Sequence, residues 1–569
     1  MLDWSGPAAA RRGDDDRDDS VARGPADPTA ACTGQLYRDD FPVSTNPDKR
    51  PDRPDDGYVT SQAVARGSRY LRRRVAGSGR RGAADAVDAD FRHPLEDVLA
   101  RRWVQRLLGF LARRRRSGLT LIEEVLASYA NPGAPWWQRL KYWPLHVFID
   151  RMRGGVPAQT VRARLAQRRD VVRGLVNAAR SVAEFGLTVP QRFSAPLFAV
   201  WNFTNACNLR CKHCYQNAAH GRLPDELTLA EKLDLVDQMG EQYLPMIALA
   251  GGEPTMSPDL LPVLRRCRQY GMHTSIATNG TTLTPRLAAQ LAEAGARYIE
   301  VSLDSVRPER HDAFRGQKGM WRRAVQGMRA VVAQEGLRLG IAMCVHRENY
   351  DEVEDMLRFA VDIGAEVLAH FNFIPVGRGR QMAEADLTPA QRERLLQIFN
   401  RWMQSGRIGI ISTAPQLGRV CLAQAAADGC QACSHAGAGS GVKARVIAKY
   451  LGACGAGRTY VCIEPNGDIT PCVYLPHRRL GNIRRRRFIE IFRENAFWEV
   501  LCDRSRRLHH CEVCTFKNYC GGCRARADAY FGVLNAGDPG CIFNQKHWER
   551  LVATGRAAAG CGSSPDPAT

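Results

Sequence analysis

Three cysteines close together in the middle of the chain constrain it most. Cys207, Cys211 and Cys214 follow the apolar run 197–201, separated from one another by three and then two residues. Thiols clustered in this way indicate metal binding before disulfide bonding. A cluster of four irons needs four ligands, so three protein thiolates leave one iron open to a small molecule. We therefore expect a reactive metal centre, with a zinc knuckle or a chance cluster as the alternatives.

A repeating pattern of short apolar runs and helical stretches surrounds these cysteines. Alternation of this kind predicts parallel βα units with right-handed crossovers. Six runs, rather than eight, predict an α/β fold that forms a partial (β/α)6 TIM-like barrel, with functional residues just after the carboxyl ends of the strands. The predicted strands are 196–204, 246–250, 273–277, 298–303, 339–345 and 366–376.

Polar motifs follow the next predicted strands. The second strand ends in Gly251, Gly252, Glu253 and Pro254. Two glycines let a ligand approach the backbone closely, and a glutamate with free carbonyls suits an ammonium group. The further candidates at the carboxyl end of the predicted sheet are Asn279, Ser302 and Arg315.

A second cysteine-rich region lies near the C-terminus. Eight thiolates match the ligand requirement of two fully coordinated four-iron clusters. Zinc ribbons also use paired C-x2-C motifs, so zinc remains an alternative for this region. The cysteines are Cys454, Cys462, Cys472, Cys511, Cys514, Cys520, Cys523 and Cys541.

Together these motifs resemble the radical S-adenosylmethionine (SAM) enzymes that carry a C-terminal SPASM domain, and most closely those of heme and heme d1 biosynthesis. The resemblance implies a 4Fe–4S cluster on the three core cysteines. SAM would be bound at Gly251 to Pro254, with Asn279, Ser302 and Arg315 as further contacts. It also implies two auxiliary 4Fe–4S clusters, the first on Cys454, Cys462, Cys472 and Cys523, the second on Cys511, Cys514, Cys520 and Cys541.

The resemblance implies reductive cleavage of SAM to a 5′-deoxyadenosyl radical, followed by oxidation of a substrate. A tetrapyrrole side chain is one expected target, because carboxylates suit the net charge of +21. Maturation of a ribosomal peptide or protein is the other, although such enzymes usually carry a winged helix before the barrel. The reductant would be a flavodoxin or ferredoxin. No general base or nucleophile stands out.

Two other classes remain open, a zinc-ribbon nucleic-acid-binding protein and a multi-cluster electron carrier without a substrate. Neither explains all the motifs, so we expect no nucleic acid partner. We find neither a secretory signal nor a run apolar enough to span a bilayer, which predicts a cytoplasmic protein.

The sequence divides into segments of different composition. We predict disordered tails at 1–95 and 549–569, a helical N-terminal domain at 96–192, the core barrel at 193–400, a linker at 401–450 and the cluster domain at 451–548. Aromatics between 136 and 143 lie among Arg and Lys; we expect them between helices, with contact to a membrane surface as the alternative. Cys421, Cys430 and Cys433 are interpreted as loop cysteines.

Overall fold

A computed structural model describes residues 94–153, 156–424, 431–434, 437–440 and 447–554. The predicted tail 1–95 lies outside these residues except for its last two positions, which begin a helix. Cys430 also lies outside them, and Cys433 is described by its backbone alone. The interpretation of Cys421 as a loop cysteine is wrong, because it is buried in the helix Gln416–Gln424. Within the described residues, no helix is long and apolar enough to cross a membrane.

The centre of the fold is a parallel sheet whose strands follow chain order. Each strand pairs with the next in parallel, and helices connect them, which confirms the predicted α/β barrel architecture. The strands are β1 (Phe198–Asn202), β2 (Met246–Ala250), β3 (His273–Thr278), β4 (Ala296–Ser302), β5 (Arg338–Val345), β6 (Val367–Asn372) and β7 (Gly409–Ser412).

Helices cover the outside of this sheet and extend from it at both ends of the chain. Preceding β1 are α1 (Pro94–Leu99), α2 (Arg102–Leu111), α3 (Leu121–Ala130), α4 (Trp136–Lys141), α5 (Trp143–Met152), α6 (Ala158–Gln167) and α7 (Arg169–Phe185). Between the strands and after β7 are α8 (Leu229–Glu241), α9 (Leu260–Tyr270), α10 (Pro285–Ala294), α11 (Pro308–Arg315), α12 (Met320–Val332), α13 (Val353–Asp362), α14 (Pro389–Ser405) and α15 (Gln416–Gln424).

The C-terminal region adds strands to the opposite edge of the same sheet. β10 (Tyr460–Ile463) pairs with β1 in parallel, and Cys462 lies opposite Val200. β11 (Asp468–Thr470) and β12 (Gly481–Asn482) continue the sheet antiparallel. The hairpin β8 (Gln431–Ser434) and β9 (Gly437–Ser440) stands apart from it. Further helices are α16 (Phe488–Arg493), α17 (Trp498–Cys502), α18 (His510–Val513), α19 (Arg524–Phe531) and α20 (Gln545–Ala553).

Two predicted boundaries are wrong. The predicted linker 401–450 contains β7, which pairs with β6 because Ile408 and Ile410 supply buried apolar side chains to the core. This apolar run was too short for the pattern to identify. The predicted tail 549–569 begins inside α20, where Trp548 and Leu551 are buried. Residues 555–569 lie outside the described part of the chain.

The N-terminal helices are fixed to the barrel through α7. Arg173 is buried on this helix and donates to the carbonyls of Leu244, Gly240 and Tyr270, at distances of 3.0, 2.7 and 2.9 Å. Asn177, one turn later, donates to the carbonyl of Ala195 at 3.0 Å. The three carbonyls accept hydrogen bonds from this buried guanidinium, so hydrogen bonds rather than a carboxylate compensate for its burial.

A buried ionic network joins the barrel to the C-terminal region. The Asp386 carboxylate contacts Arg392 at 2.6 Å and also pairs with Arg526 on α19. The hydroxyl of Tyr530 donates to the same carboxylate at 2.8 Å. All four side chains are buried, so their charges depend on one another for compensation.

Replacing Asp386 with asparagine should therefore destabilise the fold. Two buried guanidinium groups would lose their shared anion, which costs about 3 kcal/mol of unfolding free energy. Anaerobic urea denaturation followed by circular dichroism measures this loss. The matched control is Asp351→Asn, an exposed carboxylate whose loss should cost less than about 0.5 kcal/mol. Equal midpoints for the two variants would contradict the prediction.

Candidate functional site

The three core cysteines lie in one loop after the carboxyl end of β1. The loop is closed by hydrogen bonds from the Cys207 N–H to the Ala219 carbonyl at 2.6 Å and from the Ala219 N–H to the Asn205 carbonyl at 3.1 Å. Cys207 and Cys211 are buried, Cys214 is partly exposed, and all three are free thiols. Burial raises the pKa of Cys207 to about 12. An all-sulfur donor set of this kind suits a soft metal centre, whose binding would displace the thiol protons.

Arg378 braces this loop from the segment after β6. Its backbone N–H donates to the Cys214 carbonyl at 3.0 Å. Its guanidinium donates to the carbonyls of Cys211 and Ala218, at 2.9 and 2.8 Å. The preceding Gly377 has φ +58°, and a Cβ there would lie 2.4 Å from the Cys214 carbonyl oxygen. The sequence analysis missed Arg378, because nothing in the local pattern distinguishes it from other arginines of the chain.

Arg315 lies beside one of the cysteines. Its Nη1 is 3.6 Å from the Cys211 Sγ, and its Nη2 is 2.5 Å from Asp304 Oδ2. Burial alone would raise the pKa of Asp304, but the guanidinium holds that pKa at about 2. The predicted contact of Arg315 with SAM stays a prediction, because its Nη atoms contact a carboxylate and a cysteine sulfur while its Nε has no hydrogen-bond partner in the described part of the chain.

Glu253 joins the ends of β2 and β3. Its fully buried carboxylate accepts hydrogen bonds from the Asn279 N–H at 2.8 Å and from the Thr278 hydroxyl at 2.7 Å, and two further bonds from Thr255. These donors satisfy a buried carboxylate that has no cationic partner among them. Glu253 thus positions the loops at this end of the sheet.

The two glycines before Glu253 lie against the segment that leads into the cysteine loop. A Cβ on Gly252 would lie 2.2 Å from the Ala206 carbonyl oxygen, and one on Gly251 would lie 2.8 Å from the Phe203 N. Gly251 also has φ +114°, which disfavours other residues. The glycines therefore make room for the chain's own cysteine loop, and the prediction that a ligand approaches their backbone stays a prediction.

The remaining predicted contacts lie at the same end of the sheet. The Asn279 side chain donates to the Asn208 Oδ1 at 2.7 Å and so links β3 to the cysteine loop. Ser302 ends β4 and is partly exposed. Pro254 is buried in the short 3-10 helix Pro254–Met256. The structure therefore places Glu253, Asn279 and Arg315 against the cysteine loop, with Ser302 at the end of the strand that pairs with β3.

An acidic side chain missed by the sequence analysis lies on β4. Glu300 precedes Ser302 by two residues and so projects from the same face of the strand. The Tyr298 hydroxyl donates to it at 3.4 Å. Burial raises the pKa of Glu300 to about 7, and no basic side chain offsets this effect. The carboxyl can therefore exchange a proton near neutral pH. In the sequence, only the alternation of side chains along the predicted strand could have indicated that Glu300 lies on the same face as Ser302.

A chain of polar contacts connects the core cysteine loop to the C-terminal strands. The hydroxyl of Tyr215, next to Cys214, donates to Asn202 Oδ1 at 2.8 Å. Asn202 Nδ2 donates to Glu464 Oε2 at 2.9 Å, and the Cys462 Sγ is 3.5 Å from the other oxygen of Glu464. These contacts lead from one predicted ligand loop to a predicted ligand on β10.

The C-terminal cysteines fall into two groups. Cys454, Cys472 and Cys523 share one apolar cluster, and the Tyr460 hydroxyl lies 2.7 Å from the Cys472 Sγ. Cys472 contributes to the raised pKa of Cys462, which places that thiol beside the group. After burial, the raised pKa of Cys520 owes most to its neighbours, which are Cys541, Cys514 and Cys511. These neighbours agree with the two sets of four that the resemblance implied, and the roles of these cysteines as cluster ligands stay a prediction.

The described residues contain no three His, Cys, Asp or Glu side chains placed to hold a single metal ion. All ligands of one zinc ion must converge on a point, whereas a four-iron cluster attaches each thiolate to a different iron. The four thiols of each group match the ligand number of the second kind of centre.

Two families match the chain in the regions just described. Residues 201–360 match the family model of the Radical SAM superfamily. Residues 454–515 match that of SPASM, an iron–sulfur cluster-binding domain. The matched segments contain the core cysteines and most of the C-terminal ones.

Curated relatives match more than half of the chain. The chain is 32% identical over 352 residues to the AdoMet-dependent heme synthase of Methanosarcina barkeri, covering 62% of this chain and 97% of that protein. It is 28% identical over 367 residues to the mycofactocin maturase MftC of Mycobacterium tuberculosis, covering 64% and 86%. The crystal structure of Streptococcus suis SuiB bound to S-adenosylmethionine shares the fold, with 15% identity, 74% and 93% coverage and a TM-score of 0.52.

The Glu300 carboxyl gives a stability prediction with a defined sign. Between pH 4.5 and about 7 the folded state keeps a proton that the unfolded state has lost, so stability falls as the pH rises. Glu300→Gln should therefore be more stable than the parent at pH 8, by about 2 kcal/mol after allowing for partial exposure, and equal to it at pH 4. Urea denaturation at the two pH values measures the difference. A gain of the same size at both values would contradict the assignment.

Removing the Arg378 guanidinium should loosen the cysteine loop. Arg378→Met keeps the length of the side chain but leaves the carbonyls of Cys211 and Ala218 without these donors. We expect reconstituted protein to lose up to about four irons per chain, the content of one cluster. The matched control is Arg380→Met, an exposed arginine two residues away, which should retain the parent's iron content.

Proposed function

The chain belongs to the radical SAM superfamily and is an enzyme of its SPASM branch, and from this premise we propose that it oxidises a side chain of a tetrapyrrole. Enzymes of this kind bind a 4Fe–4S cluster and S-adenosylmethionine, and their SPASM domain binds further iron–sulfur clusters. The observation that carries the substrate class is the similarity to a heme synthase along 97% of that protein's length.

In this proposal Cys207, Cys211 and Cys214 hold the core cluster. When bound, the reduced cluster and SAM supply a 5′-deoxyadenosyl radical that removes a hydrogen atom from the substrate. The chain's own part is to orient the reacting carbon and to exclude water. Arg378 and Glu253 fix the loop on which this geometry depends, and Arg315 places a positive charge beside the Cys211 sulfur.

The proposed SAM contacts are adjusted to the geometry at the carboxyl end of the sheet. Gly251 and Gly252 are partly exposed, so their backbone is the proposed partner of the ammonium group, while the buried Glu253 carboxylate supports it from behind. Ser302 remains the proposed contact on β4, with Asn279 beside it. Arg315 is proposed to lie beside the cluster, because its Nη atoms contact Cys211 and Asp304.

We further propose two auxiliary clusters, one for each group of four C-terminal cysteines. The contacts that lead from Tyr215 through Asn202 to Glu464 support a route for the substrate's electron toward Cys462. Removal of that electron would make the overall reaction a two-electron oxidation. A flavodoxin or ferredoxin is the proposed donor to the core cluster.

Glu300 is proposed to form a hydrogen bond with a carboxylate of the substrate. A tetrapyrrole side chain that ends in a carboxylate would meet an acidic group, which repels it unless that group is protonated. Because burial raises the pKa of Glu300 to about 7, the group can donate a hydrogen bond to the incoming carboxylate at neutral pH. Tyr298 supports the carboxyl from the same strand face.

Modification of a ribosomal peptide is the second candidate function, because the chain is also similar to a mycofactocin maturase. Enzymes that modify ribosomal peptides usually carry a winged helix before the barrel. The described residues before β1 are helical, and their only β-pairing is an isolated bridge between Arg114 and Thr120. This helical structure favours a tetrapyrrole substrate over a peptide substrate.

Anaerobic reconstitution tests the proposal. We expect about twelve irons per chain and release of 5′-deoxyadenosine from SAM after reduction. An iron tetrapyrrole with carboxylate side chains should accelerate this release and be consumed, whereas peptides should not. Cys207→Ser should abolish release and retain about eight irons. Consumption of a peptide in place of tetrapyrroles would favour the second candidate, and iron without nucleoside release would refute both.

A further inference from the structure

The N-terminal helices present large apolar side chains to solvent. On α2, Trp103, Leu107 and Phe110 lie on one face and are exposed, with Trp103 at 59%. The opposite side of this helix buries Val104 and packs against α7. On α4 and α5 the exposed set is Trp136, Trp137, Leu140, Trp143, Val147 and Phe148, with Trp136 at 75%. We call these two sets of side chains, one on α2 and one on α4 and α5, the exposed aromatic surface.

The expectation that these aromatics pack between helices was wrong for the three tryptophans of 136–143. Only Tyr142 in this stretch is buried, and its hydroxyl donates to Glu124 at 2.8 Å. An aromatic surface of this size in water is costly, since each exposed side chain forfeits the stabilisation of burial. Such surfaces mark contact with another molecule or with a membrane.

The exposed charges around the exposed aromatic surface are mostly positive. Between 96 and 153 the acidic side chains open to solvent are Asp97 and Asp150, and Asp150 is paired with Arg153 at 2.9 Å and accepts from the Tyr129 hydroxyl. The other acids of this range are bonded by tyrosine hydroxyls, as in the pair Tyr243 with Glu123. The exposed basic side chains of the same range are Arg101, Arg102, Arg106, Arg113, Arg114, Arg115, Arg116, Arg139, Lys141 and Arg151.

We propose that this surface docks the enzyme onto an anionic lipid bilayer. Tryptophan and phenylalanine insert at the level of the lipid headgroups, and arginines between them bind the phosphates. Single-stranded nucleic acid would also attract arginines, but it uses aromatic rings as stacking platforms. The aliphatic Leu107, Leu140 and Val147 provide no such platform, whereas a lipid interface accepts aliphatic and aromatic side chains alike.

The mode of docking is peripheral. The helices are too short and too polar to span a bilayer, and α2 is packed on α7, whose Arg173 holds the barrel. Contact at this surface would therefore bring the whole barrel to the membrane. The inference depends on exposure and charge of the described helices, and it holds for either candidate substrate.

Vesicle co-sedimentation of the reconstituted full chain tests the proposal. Vesicles of equal parts phosphatidylglycerol and phosphatidylcholine should bind the protein, and vesicles of phosphatidylcholine alone should bind at least tenfold less. Raised salt should weaken the binding, because the basic side chains contribute through screened charge. Insertion should shift the tryptophan emission to shorter wavelength only with the anionic vesicles.

Variants separate the surface from the rest of the chain. The triple variant Trp136→Ser, Trp137→Ser and Trp143→Ser should bind anionic vesicles at least tenfold less while releasing 5′-deoxyadenosine at the parent rate. A matched control, Val332→Ser with Val552→Ser, removes exposed apolar side chains elsewhere and should bind as the parent does. Arg139→Glu with Lys141→Glu should lose the anionic preference.

Three results would overturn the proposal. The first is protein that stays in the supernatant with anionic vesicles at low salt. The second is vesicle binding that the tryptophan variant does not weaken. The third is a parent that forms dimers which the tryptophan variant dissociates, without lipid binding by either, because a second copy of the chain would then be the occupant. Measured masses in solution distinguish this last case.

Discussion

The parallel pairing of β10 with β1 is the contact on which the rest of the structure depends. β1 leads directly into the loop of the three core cysteines, and β10 carries Cys462 opposite Val200. The backbone hydrogen bonds of a parallel ladder are evenly spaced, so the two strands cannot slide without breaking all of them. Both proposed metal regions are therefore built on neighbouring strands of one sheet, although more than two hundred residues separate them in the chain.

Around the core loop, the buried polar side chains form their hydrogen bonds with other groups of the protein. Glu253 is saturated by hydroxyl and amide donors, Arg378 holds carbonyls of the loop, and Arg315 joins Asp304 to a cysteine sulfur. Each of these buried polar groups would be costly if unpaired. The loop is thus held in shape before any cofactor binds, which reduces the ordering needed at that moment.

The sequence predicted the elements whose signals are local. Six strands with clear apolar runs lie where they were expected, and the families suggested by Cys207 and the C-terminal thiols are those that the chain matches. Contacts between distant segments could not be predicted. Arg378 and Glu300 have ordinary neighbours in sequence, and their contacts form only when the strands of the sheet come together. β7 was missed because its apolar run is short, and the exposed tryptophans because amphipathic spacing does not show which face is covered.

The alternation of β4 has a consequence for regiochemistry. Ser302 and Glu300 project from one face, two residues apart, which separates them by about 6.6 Å along the strand. If SAM lies at the level of Ser302, the Glu300 side chain lies two residues further from the carboxyl end of β4 and closes the bottom of the site. A flat macrocycle much wider than this interval would enter by an edge and leave its far side at the rim. The position that reacts would then be selected by how deeply each edge of the ring can enter.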